Sequence, residues 1–119
     1  VALEENYKRE EMKLGIILQS NNPEHIWNTL RLAITSLKAE HSVTIFLMNE
    51  GVEIDTIGDT SDFDISKKLS KCKELGGKIF ACGTCLKVRG KAEVASCPTS
   101  SMEELLKMVE ESDKVLVFS

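Results

Sequence analysis

Apolar residues along this chain fall into short continuous runs, separated by stretches in which they recur every three or four positions. The runs "LGIILQ" (14–19), "SVTIFLMN" (42–49), "KIFAC" (78–82) and "KVLVFS" (114–119) read as buried strands, and "EVASC" (93–97) as a short strand or an extended loop. The first spaced stretch is a helix. Asn22 caps it, Pro23 suits its first position and Glu24 complements the positive end of its dipole. Ile26, Leu30, Ala33, Ile34 and Leu37 then mark one apolar face, and the helix should end near His41. A second helix spans 64–77, with Ile65, Leu69, Cys72 and Leu75 inward and Gly76 and Gly77 as its stop. "GTCLKVRG" opens a short helix that Gly90 ends, and Ser101 with Glu104 forms a capping box ahead of "MEELLKMVEES". "EGVEIDTIGD" (50–59) reads as loop with a short strand or turn in it.

Strands that alternate with helices predict right-handed crossovers and a three-layer α/β/α domain around a mainly parallel sheet of about five strands. Residues 13–119 should form that single domain, behind a mobile polar tail (1–12) in which Met12 could be the natural start. In such sheets functional groups gather beyond the carboxyl ends of the strands. Two polar segments begin there, "QSNNP" and "CGTC".

Composition narrows the function. The net charge of -4 and an aromatic content of 5% give neither the basic footprint nor the stacking platform of a nucleic-acid binder. No apolar run is long enough to span a membrane, and "VALEENYKREEMK" lacks the apolar core of a signal peptide. A cytoplasmic, reducing setting follows, in which 4 cysteines are free, reactive or metal-bound more readily than they form a disulfide framework. There is no G-x-G-x-x-G, no Walker A and no paired-carboxylate motif at a strand end, so nucleotide and dinucleotide chemistry has no support.

The chemistry therefore concentrates in "KIFACGTCLKVRG" (78–90). Cys82 ends the third strand and Cys85 lies in the first turn of the next helix, with Gly83 allowing a sharp turn between them. Free N–H groups at that turn favour an anion, which would lower a thiol pKa there. Lys87 and Arg89 follow within two turns and could add positive charge. Four readings compete: buried filler, zinc ligands, a thioredoxin-type dithiol, or a persulfide carrier. Zinc is disfavoured because Cys72 and Cys97 do not form a second close pair and Cys72 belongs to an apolar helix face.

The segment "ACGTCLKVRG", with the later "SCPTSSMEELLKMVEESDKVLVF", resembles the DsrE/DsrF-like family of small sulfur-handling proteins, which includes TusD-type sulfur relay subunits. The similarity runs from about residue 12 to 119, and its most specific element is the spacing from Cys82 to the Arg89-Gly90 pair. The resemblance implies a compact α/β/α fold, a homotrimer or hexamer, and sulfur donor and acceptor proteins as partners. It implies that Cys82 takes up sulfur as a persulfide, without metal or organic cofactor. Cys82 as thiolate would attack a donor's sulfane sulfur, with Gly83, Thr84, Arg89 and Asn22 as binding residues. Cys85 departs from the TusD-type branch and fits a "CGxC" branch, where a second thiol could resolve the persulfide as a disulfide. A non-catalytic assembly subunit of the same fold is the alternative.

The remaining singular residues carry weaker expectations. Asn21 could reach the Cys82 rim, His25 reads as an exposed surface histidine, and His41 as a histidine that satisfies a helix end. Trp27 belongs either to a subunit contact or to the edge of the core, and Cys97 reads as a spectator. Met102, Leu105, Leu106, Met108 and Val109 read as core or subunit contact.

Overall fold

A computed structural model describes residues 10–119. The tail expected at 1–12 lies mostly outside these residues, but Met12 belongs to the folded body: its carbonyl accepts from Ser42 N–H at 3.1 Å and its own N–H donates to His41 Nδ1 at 2.9 Å. His41 thus does two things: its backbone N–H donates to Ser36 O at 3.0 Å and closes the preceding helix, while its side chain anchors the start of the first strand.

The strands are β1 (Lys13–Leu18), β2 (Ser42–Leu47), β3 (Lys78–Cys82), β4 (Thr99–Ser100) and β5 (Lys114–Phe118), in the order β4-β3-β2-β1-β5. All four neighbouring pairs are parallel, which fits the α/β reading. The helices are α1 (Pro23–Lys38), α2 (Ile65–Glu74), α3 (Gly83–Val88) and α4 (Met102–Glu111). A 3₁₀ helix, Asn49–Thr56, occupies the segment expected to be loop. From β1 to β3 the chain steps one way across the sheet, and from β4 to β5 it returns the other way. Right-handed crossovers then put α1 and α2 on one face and α4 on the other. Gly15 agrees, since a Cβ there would meet Ser112 Oγ at 2.6 Å and Met108 Cε at 3.2 Å, at the end of α4.

The central strands are apolar because both faces of the sheet are covered. Ile16, Leu18, Ile45 and Leu47 are fully enclosed, and Ile26, Leu30 and Ala33 of α1 share the same core. Burying each large aliphatic side chain contributes roughly 1.5–3 kcal/mol. Asn22 Oδ1 accepts from the N–H groups of Glu24 (2.9 Å) and His25 (3.2 Å), which starts α1 where the sequence indicates. The helix stops at Lys38, one turn before His41. Gly76, at φ +97, ends α2 by supplying the left-handed backbone that other residues avoid.

One local expectation needs correction. "EVASC" is not a strand but a turn, closed by a Val94–Cys97 antiparallel bridge with Ser96 at φ 63. The strand itself is Thr99–Ser100, paired with Ala81 and Cys82. Around α2, Asp64 sits at the cap position yet makes no cap bond. Its carboxylate accepts instead from Trp27 Nε1 at 2.8 Å, and Asp59 receives the Ser66 N–H at 2.9 Å in its place.

Candidate functional site

Three strands end side by side, and their carboxyl ends hold the side chains that surround the thiols. β3 ends in Cys82, which occupies the N-cap position of α3 and uses sulfur where serine oxygen commonly stands. Its Sγ accepts from Cys85 N–H at 3.4 Å. Gly83 has no left-handed backbone; a Cβ there would lie 3.2 Å from both Ser100 O and Thr99 Cγ2. Its small size therefore lets β4 close against the thiol turn, a different reason from the sharp turn expected. Thr84 is exposed on the same turn.

The two thiols are not equivalent. Cys82 is 3% exposed, so in the single chain its sulfur does not meet a donor directly, as the attack expected of it would require. Cys82 alternates with Lys78 and Phe80 on one face of β3, and β4 flanks it. Cys85 is half-buried and its Sγ accepts the backbone N–H of Asn49 at 3.2 Å. Burial pushes the Cys85 thiol up; the Asn49 N–H pulls it back, the neighbouring Cys82 raises it further, and Arg89 lowers it slightly. The more exposed cysteine and the one at the strand end are thus different residues, joined in the first turn of α3 by the Cys85 N–H to Cys82 Sγ bond.

Around them lies a polar frame that sequence reasoning only partly found. Asn49, just past β2, donates through Nδ2 to Gln19 Oε1, just past β1, at 2.6 Å. Gly51 presses on the end of β1: a Cβ there would fall 2.1 Å from Leu18 O. The signal for Asn49 was present in "MNEG", since an Asn-x-Gly segment after a strand favours a left-handed residue, here at φ 51. Arg89 does not face the sulfurs with a free charge. Its Nε bonds Glu53 Oε2 at 2.9 Å, Nη2 lies 4.0 Å from Glu50, and Nη1 donates to Cys85 O at 3.1 Å. Hydrogen bonds from Arg89 and then Asn21 hold the Glu53 carboxyl below its ordinary range. Asn21 reaches this rim through Glu53 at 3.4 Å, whereas Asn22 is committed to its helix cap. Ser20 Oγ and His25 Nδ1 share a 3.1 Å hydrogen bond beside that cap.

The other cysteines lie elsewhere. Cys72 is fully buried, and burial pushes its thiol up to about 11. Cys97 is buried beside Lys73 and is likewise raised by burial, with Lys73 opposing. All four cysteines are free. Among the described residues no three His, Cys, Asp or Glu side chains converge as metal ligands. A cleft of about 330 Å³ between α4 and the sheet is lined by Lys78, Phe80 and Met108 but by neither Cys82 nor Cys85. Among the described residues no helix is long and apolar enough to cross a membrane.

The chain as a whole is similar to known proteins. The DsrE/DsrF-like family model matches residues 12–118, and the chain belongs to that family. It is 34% identical over 100 residues to the uncharacterised protein MK0008 of Methanopyrus kandleri, covering 80% of this chain and 83% of that one. It is 32% identical over 115 residues to the uncharacterised protein MJ0989 of Methanocaldococcus jannaschii, covering 90% and 100%. The fold is similar to the ychN protein from E. coli, with a TM-score of 0.76, 23% identity and coverage of 92% and 100%. It is also similar to MTH1491 of Methanobacterium thermoautotrophicum, with a TM-score of 0.70, 12% identity and coverage of 90% and 99%.

Proposed function

We propose that this protein carries sulfane sulfur on the Cys82–Cys85 pair and passes it between partner proteins in a reducing, cytoplasmic setting. The observation that carries this reading is the pair itself: two free thiols on one strand-to-helix turn, one half-exposed and one behind it, in a chain of the DsrE/DsrF-like family. Cys85 is the sulfur a donor can reach. Its thiolate attacks the outer sulfur of a donor persulfide, forming a new S–S bond while the donor's S–S bond breaks and the donor leaves as thiolate. Cys82, ionised in turn, takes the outer sulfur from Cys85, and Cys85 regains its thiolate. The persulfide then rests on Cys82, beside the Cys85 N–H and on the turn that Gly83 and Thr84 form. Delivery is the same exchange in reverse, toward an acceptor thiolate.

A second outcome uses the same atoms. If Cys85 attacks the inner sulfur of the Cys82 persulfide, a Cys82–Cys85 disulfide forms and hydrosulfide leaves. The sulfane sulfur is then reduced, the two thiols are oxidised, and an external dithiol must restore them. Arg89 and Asn22 act from the frame in this reading, fixing α3 against the 3₁₀ helix and setting the start of α1.

A homo-oligomer, a trimer or hexamer, accompanies the proposal. It is supported by the apolar side chains left exposed on α4 (Met102, Leu106 and Val109) and on the edge strand β5 (Leu116 and Val117). If neither thiol accepts sulfur, that surface leaves the assembly-subunit reading. Incubation with a small persulfide donor, followed by mass spectrometry of the intact protein and its peptides, tests the function. One added sulfur atom on the 79–87 peptide is expected; a chain that stays unmodified while its thiols are reduced overturns it.

A further inference from the structure

We propose that Asn49, braced by Gln19, is a positioning residue for Cys85: its backbone N–H fixes the sulfur that meets the donor and stabilises negative charge on it. This deepens the sulfur-carriage reading and rests on it for its biological meaning. The physical claim concerns Cys85 alone.

Three observations converge. The Asn49 N–H points at Cys85 Sγ at 3.2 Å, across a sequence separation of 36 residues. That direction depends on a left-handed backbone, φ 51, which costs most residues about 1 kcal/mol and asparagine less. The side chain is then held by Gln19 Oε1 at 2.6 Å, so the end of β1 braces the turn that follows β2. Gly51 reinforces this, because only a residue without Cβ fits against Leu18 O. The rest of the electrostatic setting leaves the N–H an unusual weight. The Arg89 guanidinium is already paired with Glu53 and Glu50, and Glu53 is in turn held by Asn21. A hydrogen bond to a charged acceptor is worth about 1.5–3 kcal/mol, more than a neutral one. Charge on Cys85 sulfur, as thiolate or as terminal persulfide, is therefore held chiefly by a neutral backbone dipole whose aim Asn49 and Gln19 set.

The test reads alkylation instead of sulfur transfer. In a Cys82→Ser background, iodoacetamide modification of Cys85 is followed by peptide mass spectrometry across pH. Asn49→Ala is expected to move the profile to higher pH and to slow alkylation near neutrality about tenfold, the effect of one lost hydrogen bond to a charged atom. Gln19→Met keeps the volume but replaces the amide oxygen by a weak sulfur acceptor, and should slow it by about threefold. A Gln19→Met profile that superposes on its parent overturns the proposal, whether or not Asn49→Ala folds. If wild type fails to take up sulfur but these profiles shift, the positioning stands and the sulfur-carriage reading falls. If it takes up sulfur and the profiles do not move, the positioning falls alone.

Discussion

The Cβ that Gly51 lacks would fall 2.1 Å from the carbonyl oxygen of Leu18. That oxygen also accepts the Met48 N–H at 3.1 Å, so the end of β1, the turn after β2 and the start of the 3₁₀ helix are locked at one point. Both partners are backbone, and neither can swing aside. Gly51→Ala should therefore destabilise the fold by about 1–3 kcal/mol, the usual cost of forcing atoms into a packed site. Urea unfolding checks this. A midpoint equal to wild type would show that the turn is loose.

Trp27 is the chain's 1 tryptophan, and it lies between Phe63 (centroids 5.4 Å apart), the Arg31 guanidinium (4.4 Å) and Asp64. The Trp27 indole N–H lowers the Asp64 carboxyl, against a smaller effect of burial and with help from its backbone and nearby lysines. A depressed carboxyl contributes stability above its unfolded value of 3.8 and loses it as pH falls further. Tryptophan fluorescence should accordingly show a transition below pH 3.8 that disappears in Asp64→Ala. That variant should also melt at lower temperature. Persistence of the transition in Asp64→Ala would assign it to another group.

The buried thiols contribute to how stability depends on alkaline pH. Cys72 moves from 9.0 in the unfolded chain to about 11 in the fold, and Cys97 moves in the same direction. Above 9.0 the unfolded chain loses these protons while the folded chain keeps them, so stability falls with rising pH until about 11. Below that window their contribution is constant. Urea midpoints measured across it should decline, and Cys72→Ala should decline less steeply. A flat wild-type curve would mean that Cys72 is not enclosed as the geometry has it.

The order of the major elements was legible because both halves of the signal were strong. Ile16, Ile45 and Ile79 lie on strands covered on both faces, and continuous apolar runs record that directly. Asn22 and Gly76 marked helix ends through backbone needs that few residues meet. β4 was misplaced because its two residues carry no apolar side chain; backbone pairing to β3 defines it. Val94 and Cys97 instead mimic a strand, since a tight turn points both inward. In the site, Cys82 and Cys85 stood out by spacing. The braces did not: Gln19 and Asn49 are 30 residues apart in sequence and meet only because β1 and β2 are parallel neighbours. The burial of Cys82 was likewise invisible, because it depends on β4.

The unequal exposure of the two thiols gives opposite expectations for their serine variants. Cys85→Ser leaves only the buried sulfur and should slow uptake from a persulfide donor by on the order of tenfold or more, with access and not ionisation limiting. Cys82→Ser should take up sulfur at close to the wild-type rate, hold it on Cys85, and release no hydrosulfide through an internal disulfide. Stopped reactions resolved by peptide mass spectrometry measure both. Equal rates in the two variants would show that burial does not order the pair.

The most direct measurement places the sulfur atom. Wild-type protein, fully reduced, is given one equivalent of a small persulfide, quenched, and fragmented between Cys82 and Cys85. The fragment ions should carry one additional sulfur on Cys82 at long times, preceded by Cys85 at short ones. Absence of added sulfur on either residue, with donor still intact in solution, would contradict sulfur carriage by this pair.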